Sequence, residues 1–194
     1  MQEAVPEGGA MSAVMGTDAE VIEKICEETE GIVSIANYNC PGQIVITGEA
    51  TAVEAASLKL KEAGTRRIIP LKVSGPFHSA MLQGAGEKLG AVLANVEVKK
   101  PEIPYVTNVT AEYVTDAKEI KELLVKQVSS SVKWQQCVEK MIAEGIDTFV
   151  EIGPGKTLSG FMRKINRNVT VMNIQNVEDF KKAVEFFEQQ KEED

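Results

Sequence analysis

Over its first seventy or so residues the chain switches repeatedly between two hydrophobic rhythms, and the order of those switches restricts its fold more than any other feature. "AMSAVMG" is short and apolar, as a buried strand is. "TDAEVIEKICEET" follows, with Thr17 or Asp18 placed to cap a helix and Val21, Ile22, Ile25 and Cys26 on one face. "IVSIANY" and "QIVITG" are β-rich runs separated by the turn-forming "NCPG". "TAVEAASLKLKEAG" carries Val53, Ala56 and Leu60 at helical spacing and ends at Gly64. "RRIIPLKV" alternates, with Ile69, Leu71 and Val73 on one side. The sum is β-α-β-β-α-β, the ferredoxin-like order, in a unit that would be only marginally stable alone.

Beyond this unit the character changes. A helix is expected over residues 79–95, and "KKPEIPYVTNVTAEYV" reads as extended segments broken by Pro101 and Pro104. "KEIKELLVKQV" is helical, with Ile120, Leu123, Leu124 and Val128 on one face. "VKWQQCVEKMIAEG" places Trp134, Cys137, Val138, Met141 and Ile142 on one helical stripe, and Ser131 could cap it. "DTFVEI" and "VTVMNI" are near-continuous apolar strands of the kind that suits a parallel sheet covered on both faces. The final helix is expected to bury Phe180, Ala183, Val184 and Phe187 before an acidic tail, "QQKEED", that frays. Two parallel strands for this many helices would leave apolar surface without a partner, so the region reads as part of a domain whose other strands are elsewhere.

Charge and cysteine content narrow the classes of function. A net charge of −8 argues against nucleic acid as the main partner, because such binding rests on neutralising phosphates. No apolar run of eighteen residues is present to span a membrane, and "MQEAVPEGGAM" has no basic-then-apolar secretory pattern. Cys26, Cys40 and Cys137 are odd in number and widely spaced, and with a single histidine they match no zinc pattern. They read as reduced thiols of a cytoplasmic protein, Cys26 and Cys137 as small core hydrophobes.

That histidine is His78, in "VSGPFHSAM". Imidazole ionises near neutrality and is the default proton shuttle, although a lone histidine also serves as a satisfied polar group at an element boundary. A base needs a nucleophile to activate. No serine of the chain has the Gly-x-Ser-x-Gly surroundings of an α/β-hydrolase elbow. Cys40 in "NYNCPG" could pair with His78, since thiolates are nucleophiles. "EIGPGKTLSG" ends like a phosphate loop, but Val150 stands where that loop needs its first glycine, and a tight strand-to-helix turn accounts for Gly153, Pro154 and Gly155. No metal or cofactor is implied.

Five stretches in order, "MQEAVPEGGAMSAVMG", "IANYNCPGQIVITG", "VSGPFHSAM", "LLVKQVSSSVKW" and "FVEIGPGKTLSGFMRKI", resemble the bacterial malonyl-CoA:acyl-carrier-protein transacylases of fatty-acid synthesis. The resemblance covers essentially the whole chain. It implies an α/β fold: part of an α/β-hydrolase-like large domain over residues 74–194 and an inserted ferredoxin-like subdomain over 8–73. It further implies transfer of a malonyl group from coenzyme A to the phosphopantetheine thiol of acyl carrier protein through an acyl-serine, with malonyl-CoA and the carrier as partners. In that family the histidine of the "PFHSAM"-like motif is the base, which falls on His78. The glutamine of the "LVKQ"-like motif falls on Gln127, whose backbone carbonyl would orient the ring as an aspartate does in a Ser-His-Asp triad. Asn37 and Asn39 would line the substrate pocket.

The chain departs from the family in beginning where the family's sequence is already under way, so the Gly-His-Ser-x-Gly elbow, the oxyanion donors and the malonyl-pairing arginine are expected upstream of Met1. A chain so placed is expected to show no turnover by itself. The competing reading is a non-catalytic ferredoxin-like binding module, and a Cys40/His78 thiol enzyme is a third. Docking of an acidic carrier would need a local basic patch, for which Arg66, Arg67 and Lys72, or Arg163, Lys164 and Arg167, are candidates.

Overall fold

The computed structural model of the chain describes residues 7–193; the first six residues of the "MQEAVPEGGAM" stretch, and Asp194 of the acidic tail, lie outside the described residues. The described residues fall into two compact units that divide between Lys140 and Met141.

The first unit opens with β1 (Gly9–Met15), α1 (Ala19–Glu27), β2 (Val33–Cys40), β3 (Gln43–Glu49), α2 (Ala50–Glu62) and β4 (Arg67–Pro70), the order expected from sequence. The strands form one antiparallel sheet in the order β2-β3-β1-β4. Strand periodicity divides the apolar residues between two faces. Val14, Ile35, Ile44 and Ile46 meet Ile22 and Cys26 of α1 and Val53, Ala56 and Leu60 of α2, so both helices cover the same face. Met11, Ala13, Ala36 and Val45 lie in a second cluster, joined by Ile69 and Phe77.

Some local expectations fail for identifiable reasons. Asp18 is the backbone N-cap of α1 but makes no side-chain cap, and the Thr17 hydroxyl bonds that of Thr65 at 2.7 Å instead. The ladder to β1 reaches one residue beyond β4, where the Leu71 amide donates to the Met11 carbonyl at 2.9 Å, but Leu71 and Val73 lie past the strand's end and are exposed instead of sharing a buried face with Ile69.

The unit continues through a 3-10 turn (Ala80–Leu82), α3 (Gln83–Leu93), the two-residue antiparallel pair β5 (Tyr105–Val106) and β6 (Tyr113–Val114), and α4 (Ala117–Lys126). Asp116 caps α4 by accepting from the Lys118 amide at 2.9 Å. α3 packs against α4 at Gly86, where an added Cβ would sit 3.0 Å from the Val125 carbonyl oxygen. α5 (Trp134–Ala143) begins in this unit and buries Cys137 and Val138. Ser131 stands too far ahead of Trp134 to cap it, and its hydroxyl bonds the Ile35 carbonyl instead.

In the second unit β7 (Thr148–Ile152) and β8 (Thr170–Ile174) pair in parallel, as their near-continuous apolar runs imply. α6 (Thr157–Ile165) and α7 (Val177–Glu193) pack on β8. Of the four α7 residues expected to be buried only Ala183 is; Phe180 is 55% exposed, and Val184 and Phe187 are exposed too. A two-stranded sheet is too narrow to cover the whole helical stripe, and Ile152 at 78% exposure shows the same shortage. The "QQKEED" tail, expected to fray, is helical through Glu193.

Candidate active site

The turn that carries His78 is fixed by its neighbours on both sides. Pro76 is fully buried against Gly9 at the head of β1, and Phe77 packs on the second apolar cluster. Ser79 has no exposed surface; its hydroxyl donates to the Pro76 carbonyl at 2.8 Å and accepts from the Met81 amide at 3.3 Å, which caps the 3-10 turn. Between these anchors His78 adopts φ of +60°, a left-handed conformation in which non-glycine residues are strained and which surrounding structure must impose. Its ring is half-buried.

Gln127 is the C-cap of α4, where carbonyls have run out of intrahelical amides. The next amides fold back, Val128 to the Val125 carbonyl and Ser129 to that of Lys126, and the Gln127 oxygen faces His78 Nδ1 at 3.2 Å. A carbonyl only accepts, so this contact makes Nδ1 the protonated nitrogen and leaves the Nε2 lone pair to act as a base. A neutral carbonyl orients the ring without burying a second charge.

Asn37 and Asn39 lie half-buried on β2, where the pairing with β3 slips between Ile35 and Asn37 and again between Tyr38 and Cys40. Each slip leaves one extra residue, Ala36 and Asn39, and a bulge re-aims the residues after it. Asn37 is therefore in register with Val45 of the second cluster, on the face where Phe77 packs, while Tyr38 moves to the helical face and donates to Glu23 Oε1 at 2.5 Å. Simple alternation along "IVSIANY" would have put Asn37 on the helix-covered face. The bulges, and the seating of Pro76 on Gly9, carry no signal in a single sequence.

The other candidates separate clearly. All three thiols are buried, and none is in a disulfide. Burial pushes Cys26 and Cys137 up to about 11, with Glu23 and Glu27 adding to the rise at Cys26. Cys40 is 1% exposed, which shields it from any substrate. In the glycine-rich turn after β7, Gly153 and Gly155 take φ of +137° and +91°, and the Gly155 amide is occupied by Gln175 Oε1 at 2.8 Å. That is a strand-to-helix turn, not a phosphate cradle. Arg163 and Arg167 line one concavity with Lys164 and Asn166, of about 610 Å³. Arg66, Arg67 and Lys72 are exposed along and beyond the edge strand β4.

Comparison with known proteins follows the same lines. The acyl transferase domain family matches residues 1–191. Among curated relatives, the malonyl CoA-acyl carrier protein transacylase of Bacillus subtilis is 46% identical over 189 residues, covering 95% of this chain and 60% of the relative. That of Haemophilus influenzae is 41% identical, covering 96% and 61%. Among solved structures, the Clostridium perfringens malonyl CoA-acyl carrier protein transacylase superposes with a TM-score of 0.93 at 46% identity, covering 98% of this chain and 61% of that one. A malonyl-transacylase solved in complex with a type II acyl-carrier protein gives 0.91 at 40% identity, over 95% and 60%. The chain thus spans about three fifths of the length of the relatives it matches.

Proposed function

The chain belongs to the acyl transferase domain family, and from that membership we propose that it supplies the base and the substrate-pocket asparagines for malonyl transfer from coenzyme A to acyl carrier protein. The observation that carries this reading is the contact between His78 Nδ1 and the Gln127 carbonyl, with the imidazole held at positive φ by a turn buried on both sides.

In the proposed sequence a serine of the family's Gly-His-Ser-x-Gly elbow gives its proton to His78 Nε2 while its oxygen bonds the malonyl thioester carbon. The carbon–sulfur bond to coenzyme A breaks, and the departing thiolate takes the proton from the imidazolium. The carrier's pantetheine thiol repeats the exchange: its proton goes to Nε2, its sulfur bonds the carbonyl carbon, and the serine oxygen leaves with the proton. The Gln127 carbonyl stabilises the cationic ring in each half-reaction. Asn37 and Asn39 line the pocket from β2. The order β2-β3-β1-β4 with both helices on one face supports residues 8–73 as the ferredoxin-like subdomain. The narrow parallel pair β7-β8 with exposed Ile152 and Phe180 supports residues 74–194 as part of a larger hydrolase-like sheet. No serine here stands in an elbow, so on this reading the 194-residue chain by itself does not turn over.

A chimera that joins the unmatched part of the Bacillus subtilis relative to this chain tests the reading. It should move labelled malonyl groups to carrier protein, and His78→Ala within it should slow transfer by about a hundred- to ten-thousand-fold. A folded chimera whose rate ignores His78→Ala would overturn the assignment. So would a stable malonyl adduct on the 194-residue chain alone.

A further inference from the structure

The serine run after Gln127 does work that neither the helix nor the proposed chemistry explains. We infer that Ser131 and Val132 form a clasp that holds the Gln127 carbonyl and the Asn37 bulge in one frame, with Ser131 a positioning residue for His78. The inference rests on the His78–Gln127 reading above.

Three hydrogen bonds make the clasp. The Ser131 hydroxyl donates to the Ile35 carbonyl at 2.5 Å, the Val132 amide to the Ala36 carbonyl at 2.7 Å, and the Tyr38 amide to the Val132 carbonyl at 2.9 Å. Val132 is thereby bridged in parallel to Asn37. The partners, residues 35–38, are those of the first β2 bulge, and β2 is the outer strand of its sheet. A bulge on an outer strand leaves backbone groups without ladder partners. The clasp satisfies three of them, and so holds the slip that puts Asn37 on the Phe77 face.

The other end of the clasp is the catalytic geometry. Gln127 lies four residues before Ser131, and Val128 and Ser129 are already bonded back onto α4. A tether that short, at roughly 3.3–3.6 Å per residue when fully extended, leaves the carbonyl little freedom once Ser131 is fixed. Beyond the clasp the Lys133 amide donates to the Asn108 carbonyl at 3.0 Å, so the segment is also held from its far side. Ser131 thus links two features far apart in sequence: the carbonyl that sets the His78 tautomer and the strand that carries the proposed substrate asparagines.

Because His78 is the only histidine, its ring nitrogens give a single unambiguous set of NMR signals in the full 194-residue chain. Wild type should show Nδ1 protonated; a ring protonated on Nε2 instead would sink the base reading itself, before any variant is made. Given the wild-type signature, Ser131→Ala should lose it and speed exchange of the Val132 and Tyr38 amides, and Ser131→Thr should restore both. The core amides of β1 and β3 report that the fold is intact. Thr29→Ala, which deletes a comparable hydroxyl-to-carbonyl bond on α1, should leave His78 unchanged. The inference fails if Ser131→Ala frees the Val132 and Tyr38 amides while the Nδ1 signal stays as in wild type. It fails equally if Thr29→Ala disturbs His78 as much, because the effect would then be general loosening.

Discussion

Gly9 and Pro76 touch so closely that a Cβ on Gly9 would lie 2.2 Å from Pro76 Cδ, inside any real contact distance. The pair ties the head of β1 to the turn that carries His78 two residues later. The ring carbons of Pro76 are fully buried and cannot step aside. Gly9→Ala should therefore cost about 1–3 kcal/mol, in the range of overpacked cores, read as a lowered urea midpoint. If the midpoint is unchanged, the contact is looser than these distances state.

The buried thiols contribute to the loss of stability in alkali. Cys26 and Cys137 are raised from 9 to about 11 by burial, while unfolded thiols ionise near their ordinary value. Below pH 9 both states hold the proton and the thiols add nothing to the pH slope. Between pH 9 and about 11 the unfolded chain releases protons that the folded chain keeps, so stability falls as pH rises. Urea midpoints should decline over that window, and Cys137→Ala should flatten the decline. In the same chain at pH 8, iodoacetamide should label the thiols only after unfolding.

Much of the fold was legible because local periodicity is a local property. The short apolar run of β1, the stripe of Ile22 and Cys26, and the parallel pair β7-β8 all follow from residues close in sequence. What escaped depends on partners. The stripe of Phe180, Val184 and Phe187 declares an apolar face without saying what covers it, and most of it is exposed. The site divides the same way: His78 and Gln127 were suggested by motif, whereas the two slips in β2 are decided by how β2 meets β3 and residues 131–132. Ser131 looked like a helix cap because capping is written locally, and its hydroxyl goes instead to a carbonyl 96 positions away.

Glu151 should prove a remote cap for α6. The helix's own N-cap is Lys156, which makes no side-chain cap, and the Glu151 carboxylate accepts from the Leu158 and Ser159 amides and the Ser159 hydroxyl. Desolvation pushes its carboxyl upward, but the hydrogen bonds from Ser159 and Leu158 outweigh that and hold it below the ordinary value. A depressed carboxyl contributes stability above its unfolded value that is lost as pH falls through the folded one. Glu151→Ala should cost about 1 kcal/mol at neutral pH, as helix caps do. The difference from wild type should shrink in acid, where wild type loses the charge too. A penalty that persists undiminished at low pH would mean that Glu151 acts through packing.

The last prediction concerns carrier docking, where overall charge and local charge disagree. A chain of net charge −8 repels an acidic partner at long range, so productive encounter needs a basic surface close to the contact. Arg163 and Arg167 offer a concave one, gathered with Lys164 around about 610 Å³, whereas Arg66, Arg67 and Lys72 follow an edge strand and the segment beyond it. Concavity lets several cations face one anionic surface together, which favours the first group. Arg163→Glu with Arg167→Glu should weaken carrier binding to the chimera more than Arg66→Glu with Arg67→Glu. Binding should also weaken as salt shortens the screening length toward about 8 Å near physiological ionic strength. Both follow by surface plasmon resonance at several salt concentrations. Equal losses from the two charge reversals, or affinity indifferent to salt, would remove the concavity from the docking surface.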